Sequence, residues 1–111
     1  MKRNQVSAVV IARDEENEIA DCLTSIITAV PDEIIVVVDD RTIDTTCEKA
    51  RQFTEKVYLV NGVRGKLRNY GWQIARNEIV CFIDADMRIP RDYFEKIIPV
   101  RFASGTKDGE K

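Results

Sequence analysis

Histidine is absent from the 111 residues, and cysteine occurs three times, at Cys22, Cys47 and Cys81. A thiolate–imidazole zinc site is therefore not expected, and an odd, widely spaced trio makes no disulfide framework. The three thiols read as small buried hydrophobes. No apolar run approaches the ~20 residues that span a bilayer. The basic start, "MKRNQVSAVV", meets charge again at Arg13 without a small-residue cleavage site, so no signal peptide is expected and cytoplasmic residence is the default. A net charge of -2 offers no basic field to nucleic acid or to an anionic membrane. Neither G-x-G-x-x-G after the first strand nor G-x-x-x-x-G-K-[ST] occurs, which disfavours a phosphate cradled by a glycine-rich helix start.

What is present is strand and helix in alternation, at a length suited to one domain. "VSAVVI" (Val6 to Ile11) has the continuous apolar, β-branched character of a strand covered on both faces. Ile19, Cys22, Leu23, Ile26, Ile27 and Val30 fall three and four apart, the stripe of an amphipathic helix, with Asp14 and the glutamates after it at its N-terminal end and Pro31 as its stop. "EIIVVVDD" (Glu33 to Asp40) is a second strand. A shorter helix follows, with Asp44 as N-cap and Cys47, Ala50 and Phe53 turned inward. "KVYLV" is a third strand and "NGVRGK" a loop. Leu67, Tyr70, Gly71, Ile74 and Ala75 stripe a third helix, "EIVCFI" is a fourth strand, and Pro90 opens a last helix carrying Phe94, Ile97 and Ile98, limited by Pro99. This order predicts an α/β protein, a three-layer α/β/α open and mostly parallel sheet. Residues 1–100 form the domain and 101–111 a polar, frayed tail.

In such a sheet the ligand crevice lies beyond the carboxyl ends of the strands. Strand one delivers Asp14 and Glu15 there, strand two Asp39 and Asp40, and "IVCFIDADMRIP" delivers Asp84 and Asp86. Any one of these is ordinary as a turn residue or cap, the reading preferred for Asp44 and Asp92. Together they repel unless solvent or a cation relieves them. A hard divalent ion suits carboxylate oxygens, and Mg²⁺ commonly joins one or two carboxylates to substrate phosphates.

"SAVVIARDEENEIADCLTSI", "DEIIVVVDDRTIDTTCEKA", "GKLRNYGWQIA" and "EIVCFIDADMRIP" resemble, in order and spacing, the N-terminal half of family-2 glycosyltransferases with the Rossmann-like GT-A fold, over about residues 6 to 98. The resemblance implies a nucleotide-diphospho-sugar donor (a UDP- or GDP-sugar) held with Mg²⁺ or Mn²⁺. Asp40 would contact the base or ribose, and Ala12, Arg13 and Glu15 would line the base pocket. Asp84, with Ala85 beside it, would accept from the ribose hydroxyls, and Asp86 with Asp84 would meet the metal. Lys66 and Arg68 would lie near the nucleotide. Tyr70 and Trp72 are read as packing residues rather than base stackers. Two departures stand out: Arg41-Thr42 replaces Gly-Ser after the paired aspartates, and Asp14 replaces an asparagine. The family's general base should lie well beyond the D-x-D motif, yet the sequence ends about 25 residues after Asp86, and neither Asp92 nor Glu95 suits the role. The expectation is therefore donor binding, with transfer if an acceptor half or partner chain supplies the base. The alternative is a non-catalytic nucleotide-binding or interaction module, with self-association where another half would pack. A phosphoacceptor receiver domain is disfavoured, because its acidic pair should follow the first strand and its lysine a further one.

Overall fold

The structure, a computed structural model, describes residues 4–97. Four strands and four helices alternate: β1 (Asn4–Ala12), α1 (Ile19–Thr28), β2 (Pro31–Asp39), α2 (Thr46–Ala50), β3 (Val57–Val60), α3 (Arg64–Ile74), β4 (Val80–Asp84) and α4 (Tyr93–Ile97). The sheet order is β3-β2-β1-β4 and every pairing is parallel. From β1 to β3 the chain steps in one direction, then α3 carries it back across to the far side of β1. With right-handed crossovers, that reversal sends α3 to the face opposite α1 and α2.

The two cores follow strand parity. Val6, Ala8, Val10, Val36 and Val38 pack with Ile19, Leu23 and Ile26 of α1 and with Phe94 of α4. Their neighbours Val9, Ile11, Ile35 and Val37 point the other way, onto Leu67 and Ala75. Burial on both sides explains why β1 and β2 read as unbroken apolar runs. Cys22 and Cys47 are buried free thiols of the first core, and Cys81 is half-buried. Burial pushes the Cys22 thiol up to about 11. Gly71 faces the sheet so closely that a Cβ there would lie 2.5 Å from Cγ1 of Val9 and 3.4 Å from Cγ2 of Val37. Its missing side chain sets how near α3 lies to β1 and β2.

Several boundaries differ from the sequence pattern, among them α3, which opens at Arg64 inside a segment read as a loop. Helix α1 ends at Thr28, Val30 lies outside it at φ 57, and Pro31 opens β2, where proline is tolerated as a first strand residue. Helix α2 begins at Thr46 with Thr45 as N-cap, so Asp44 is not the cap. Helix α4 begins at Tyr93, and the Pro90 carbonyl accepts the Tyr93 N–H at 3.0 Å, closing a turn ahead of the helix. Ile98, Pro99 and the expected tail at 101–111 lie outside the described residues.

At the amino edge of the sheet, Glu33 is a buried carboxylate with every oxygen engaged. It accepts from Ser7 Oγ at 2.6 Å, from the Arg76 N–H at 2.9 Å and from Lys56 Nζ at 2.6 Å. Burial raises its pKa, but these bonds outweigh burial and leave it below the usual value.

Candidate functional site

Strand order reverses at β1, so the crevice expected of a doubly wound sheet opens between the carboxyl ends of β1 and β4. Asp84 pairs with Ile11 across those strands, and Ile11 with Val37, so Asp84 shares their row and faces α3. There it forms an ion pair with Arg64, the first residue of α3. Beside this pair lies a cleft of about 290 Å³. Ile11, Ala12 and Arg13 line it from the end of β1, Asp39 and Arg41 from β2, and Val63, Arg64 and Leu67 from the start of α3.

The loops after β1 and β2 are laced together, which fixes the cleft wall. Asp14 sits at φ 51, a left-handed conformation that Asp and Asn tolerate better than most residues. Its Oδ1 accepts the Ile43 N–H at 2.9 Å. The Glu15 N–H donates to Thr46 Oγ1 at 2.8 Å and the Glu16 N–H to Asp44 Oδ2 at 3.1 Å. Asp44 Oδ1 meanwhile accepts the Thr46 N–H at 3.0 Å. Glu16 Oε1 accepts from both the N–H and the hydroxyl of Thr45, at 3.1 and 2.6 Å, which lowers its pKa. Asp44 therefore ties the two loops together while also holding the first N–H of α2, from one position ahead of the N-cap residue. The turn at Arg41-Thr42 closes through the Thr42 N–H and the Asp39 carbonyl at 2.9 Å. Asp40 and Arg41 are not among the positive-φ residues, so this turn has no need of glycine.

The rim is less purely acidic than its sequence suggests. Asp39 lines the cleft, and Arg41 grips it through Nε at 3.0 Å, Nη2 at 2.7 Å and its backbone N–H at 2.9 Å, holding the carboxyl down to about 2. Arg88 reaches Glu18 at 2.7 Å and Asp21 at 3.6 Å. The chain's own arginines thus neutralise part of an edge whose charge solvent or a metal ion was expected to relieve. Glu15 remains raised, first by burial and next by the field of Asp86, while Arg64 pulls it down. Glu15, Asp86 and Arg64 therefore share one electrostatic neighbourhood.

Ala12 and Ala85 are buried at the strand ends, Arg13 and Asp86 are exposed, and Glu15 is half-buried. Asp40 is exposed and accepts from Asn61 Nδ2 at 3.2 Å, away from the cleft lining. Lys66 is exposed and its side chain lies against Gly62. Arg68 stacks its guanidinium over Phe82, 5.8 Å from the ring centre. Tyr70 packs on Tyr58 with ring centres 5.6 Å apart, and Trp72 is half-buried. The sequence reading placed Asp39 at this edge without a role in the cleft, and gave none to Arg41 or Arg64. Asp39 and Arg41 had a signal in their i, i+2 spacing after a strand; Arg64 lay in a segment read as loop.

Among the described residues no group of three or more His, Cys, Asp or Glu could hold a metal ion. A dedicated protein cage is therefore not built by these residues. One or two carboxylates at the β4 end do match the donor set of an Mg²⁺ that keeps waters and arrives with phosphates.

Residues 7–101 match the family model "Glycosyl transferase family 2". The putative glycosyltransferase EpsH of Bacillus subtilis is 30% identical over 88% of this chain, which spans 30% of that protein. The structure of glucosyl-3-phosphoglycerate synthase from Mycobacterium tuberculosis, in complex with Mg²⁺ and UDP, superposes with a TM-score of 0.73 at 25% identity, over 90% of this chain and 40% of that one. The mannosyltransferase PcManGT from Pyrobaculum calidifontis, in complex with GDP-Man and Mn²⁺, gives 0.66 at 27% identity, over 83% of this chain and 30% of that one. The chain spans well under half the length of these relatives. Among the described residues no helix is long and apolar enough to cross a membrane.

Proposed function

The chain belongs to glycosyl transferase family 2, and from that premise we propose that its carboxyl-edge cleft binds a nucleotide-diphospho-sugar together with Mg²⁺ or Mn²⁺. The observation that carries this reading is the meeting of a cleft of about 290 Å³ with a mixed acid–arginine rim at the strand-order reversal. The apolar floor of Ile11, Ala12 and Leu67 suits a base, and Arg13 and Asp39 supply polar edges. Asp84 accepts from the ribose hydroxyls, with Ala85 beside it. Asp86, with Asp84 and the neighbouring Glu15, offers oxygens to the cation. Asp39 takes the contact to the base or ribose expected of Asp40, which stays outside the cleft lining on Asn61, and Lys66 and Arg68 add positive potential outside the cleft.

The family chemistry is displacement at the anomeric carbon: the bond to the diphosphate oxygen breaks, a bond to the acceptor hydroxyl oxygen forms, and a base takes the hydroxyl proton. A bound divalent cation supplies charge neutralisation for the leaving diphosphate. Residues 4–97 hold the donor. The base and the acceptor site are proposed to come from elsewhere, in a longer chain, a second copy or a partner. The second reading is a nucleotide-binding or interaction module without transfer. Calorimetry with UDP- and GDP-sugars tests the main reading. Mn²⁺ should tighten binding at least about tenfold, roughly 1.4 kcal/mol; equal affinity with and without the ion would overturn it. Binding with no transfer to any acceptor would support the second reading.

A further inference from the structure

We propose that Arg64 is a positioning residue that makes divalent-cation binding conditional on a diphosphate, holding Asp84 in the free protein and passing to the diphosphate when it arrives; this inference rests on the function proposed above. The geometry singles Arg64 out among the nearby cations. Arg41 is bound by three hydrogen bonds to the buried Asp39 and is not available for exchange. Arg68 lies over Phe82 and Lys66 along Gly62. Arg13, Arg41 and Arg64 all line the cleft, but Arg13 lies by Asp14 and Arg41 on Asp39, and of the three Arg64 is the one whose guanidinium pairs with a carboxylate of the β4 rim.

That pair can be exchanged. The side chains of Arg64 and Asp84 are 55% and 44% exposed, and ion pairs in such surroundings contribute little to stability. The Arg64 guanidinium is a planar cation with several N–H donors. While it occupies Asp84 Oδ1, an incoming divalent cation loses one rim oxygen and meets a like charge. A diphosphate changes both conditions, because guanidinium groups bind phosphate oxygens through paired N–H donors. Arg64 then leaves Asp84 for the new anion, freeing the carboxylate. Half-buried Glu15 and exposed Asp86 remain as the acidic surroundings. The absence of a three-ligand cluster among the described residues fits a rim that holds no cation tightly by itself. Such coupling is reciprocal: whatever the diphosphate adds to cation affinity, the cation adds to diphosphate affinity.

The test is electron paramagnetic resonance titration of Mn²⁺ into the full chain, paired with UDP binding at saturating Mn²⁺, for the parent, Arg64→Gln and Arg64→Lys. Arg64→Gln should tighten Mn²⁺ alone about tenfold and weaken UDP at saturating Mn²⁺ about tenfold. Arg64→Lys, which keeps the charge, should leave Mn²⁺ alone as weak as in the parent. A merely structural role would move both affinities in the same direction, so opposite movement is the signature. Unchanged Mn²⁺ affinity in Arg64→Gln, or loss of both affinities together, overturns the inference while the proposed function stands. A parent that binds UDP no better with Mn²⁺ than without it overturns both.

Discussion

Placing an alanine at Gly71 tests whether the close approach of α3 to the sheet is what positions the cleft. An ideal Cβ there would stand 2.5 Å from Cγ1 of Val9, against an optimum of about 3.5–4.0 Å between carbons, so roughly 1 Å must be opened. Val9 is fully buried and β-branched, and cannot swing aside cheaply. Overpacking of this kind costs about 1–3 kcal/mol, while replacing a mid-helix glycine by alanine returns about 1 kcal/mol. The expected net loss for Gly71→Ala is therefore about 1 kcal/mol. Val9→Ala alone removes two buried methyl groups and leaves a void, for a loss of about 2–3 kcal/mol. In the double variant the new methyl occupies part of that void and the overpacking vanishes. Its loss should be about 1–2 kcal/mol, less than the summed singles by about 2 kcal/mol. Urea unfolding, followed in parallel by circular dichroism and Trp72 fluorescence, measures all three. Additivity within about 0.5 kcal/mol would refute the contact. Because Arg64 and Val63 ride on the same helix, Gly71→Ala should also weaken nucleotide binding, and the double variant should restore it.

Further expectations concern the amino edge and the loops. Glu33→Ala strands Ser7, Lys56 and the Arg76 N–H and should cost about 3 kcal/mol in urea, whereas Lys56→Met, which leaves two of the three bonds, should cost less. Glu33 and Asp39 both have folded pKa values below their unfolded ones, so the unfolded chain binds more protons in acid. Their stabilisation is present above about pH 4.5 and is lost as pH falls through the folded values, that of Asp39 at about 2. An unfolding midpoint that stays flat from pH 5 to pH 2.5 would contradict this. Asp44→Ala removes the acceptor for the Glu16 and Thr46 N–H groups and should cost about 1–2 kcal/mol, with faster amide exchange at Glu16; unchanged exchange there would show that the loops are held by other means.

The fold was legible because β1, β2 and the α1 stripe apart from Ile27, which is 44% exposed, are buried on the faces their periodicity dictates, and because alternating elements admit few topologies. Boundaries drifted where tertiary bonds overrode local signals. Asp44 has the chemistry of an N-cap, yet one of its oxygens serves Glu16 across the loop, 28 residues away in sequence. The acidic edge was legible as a location and not as an electrostatic state. Periodicity brings Asp84 to the strand end, but nothing local announces that Arg64, 20 residues earlier, will meet it. Asp39 and Asp40 are adjacent and chemically identical. Only strand parity, fixed by the pairing of Asp39 with Val60, decides which of them points into the cleft.

The most direct measurement of the central claim is paramagnetic broadening of backbone amide signals when Mn²⁺ is added with UDP. Broadening should centre on Glu15, Arg64 and Asp86 at the carboxyl edge, spare Glu33 and Asn77 at the amino edge, and vanish on chelation of the ion. Broadening centred on the amino edge, or spread evenly over the surface, would contradict the account.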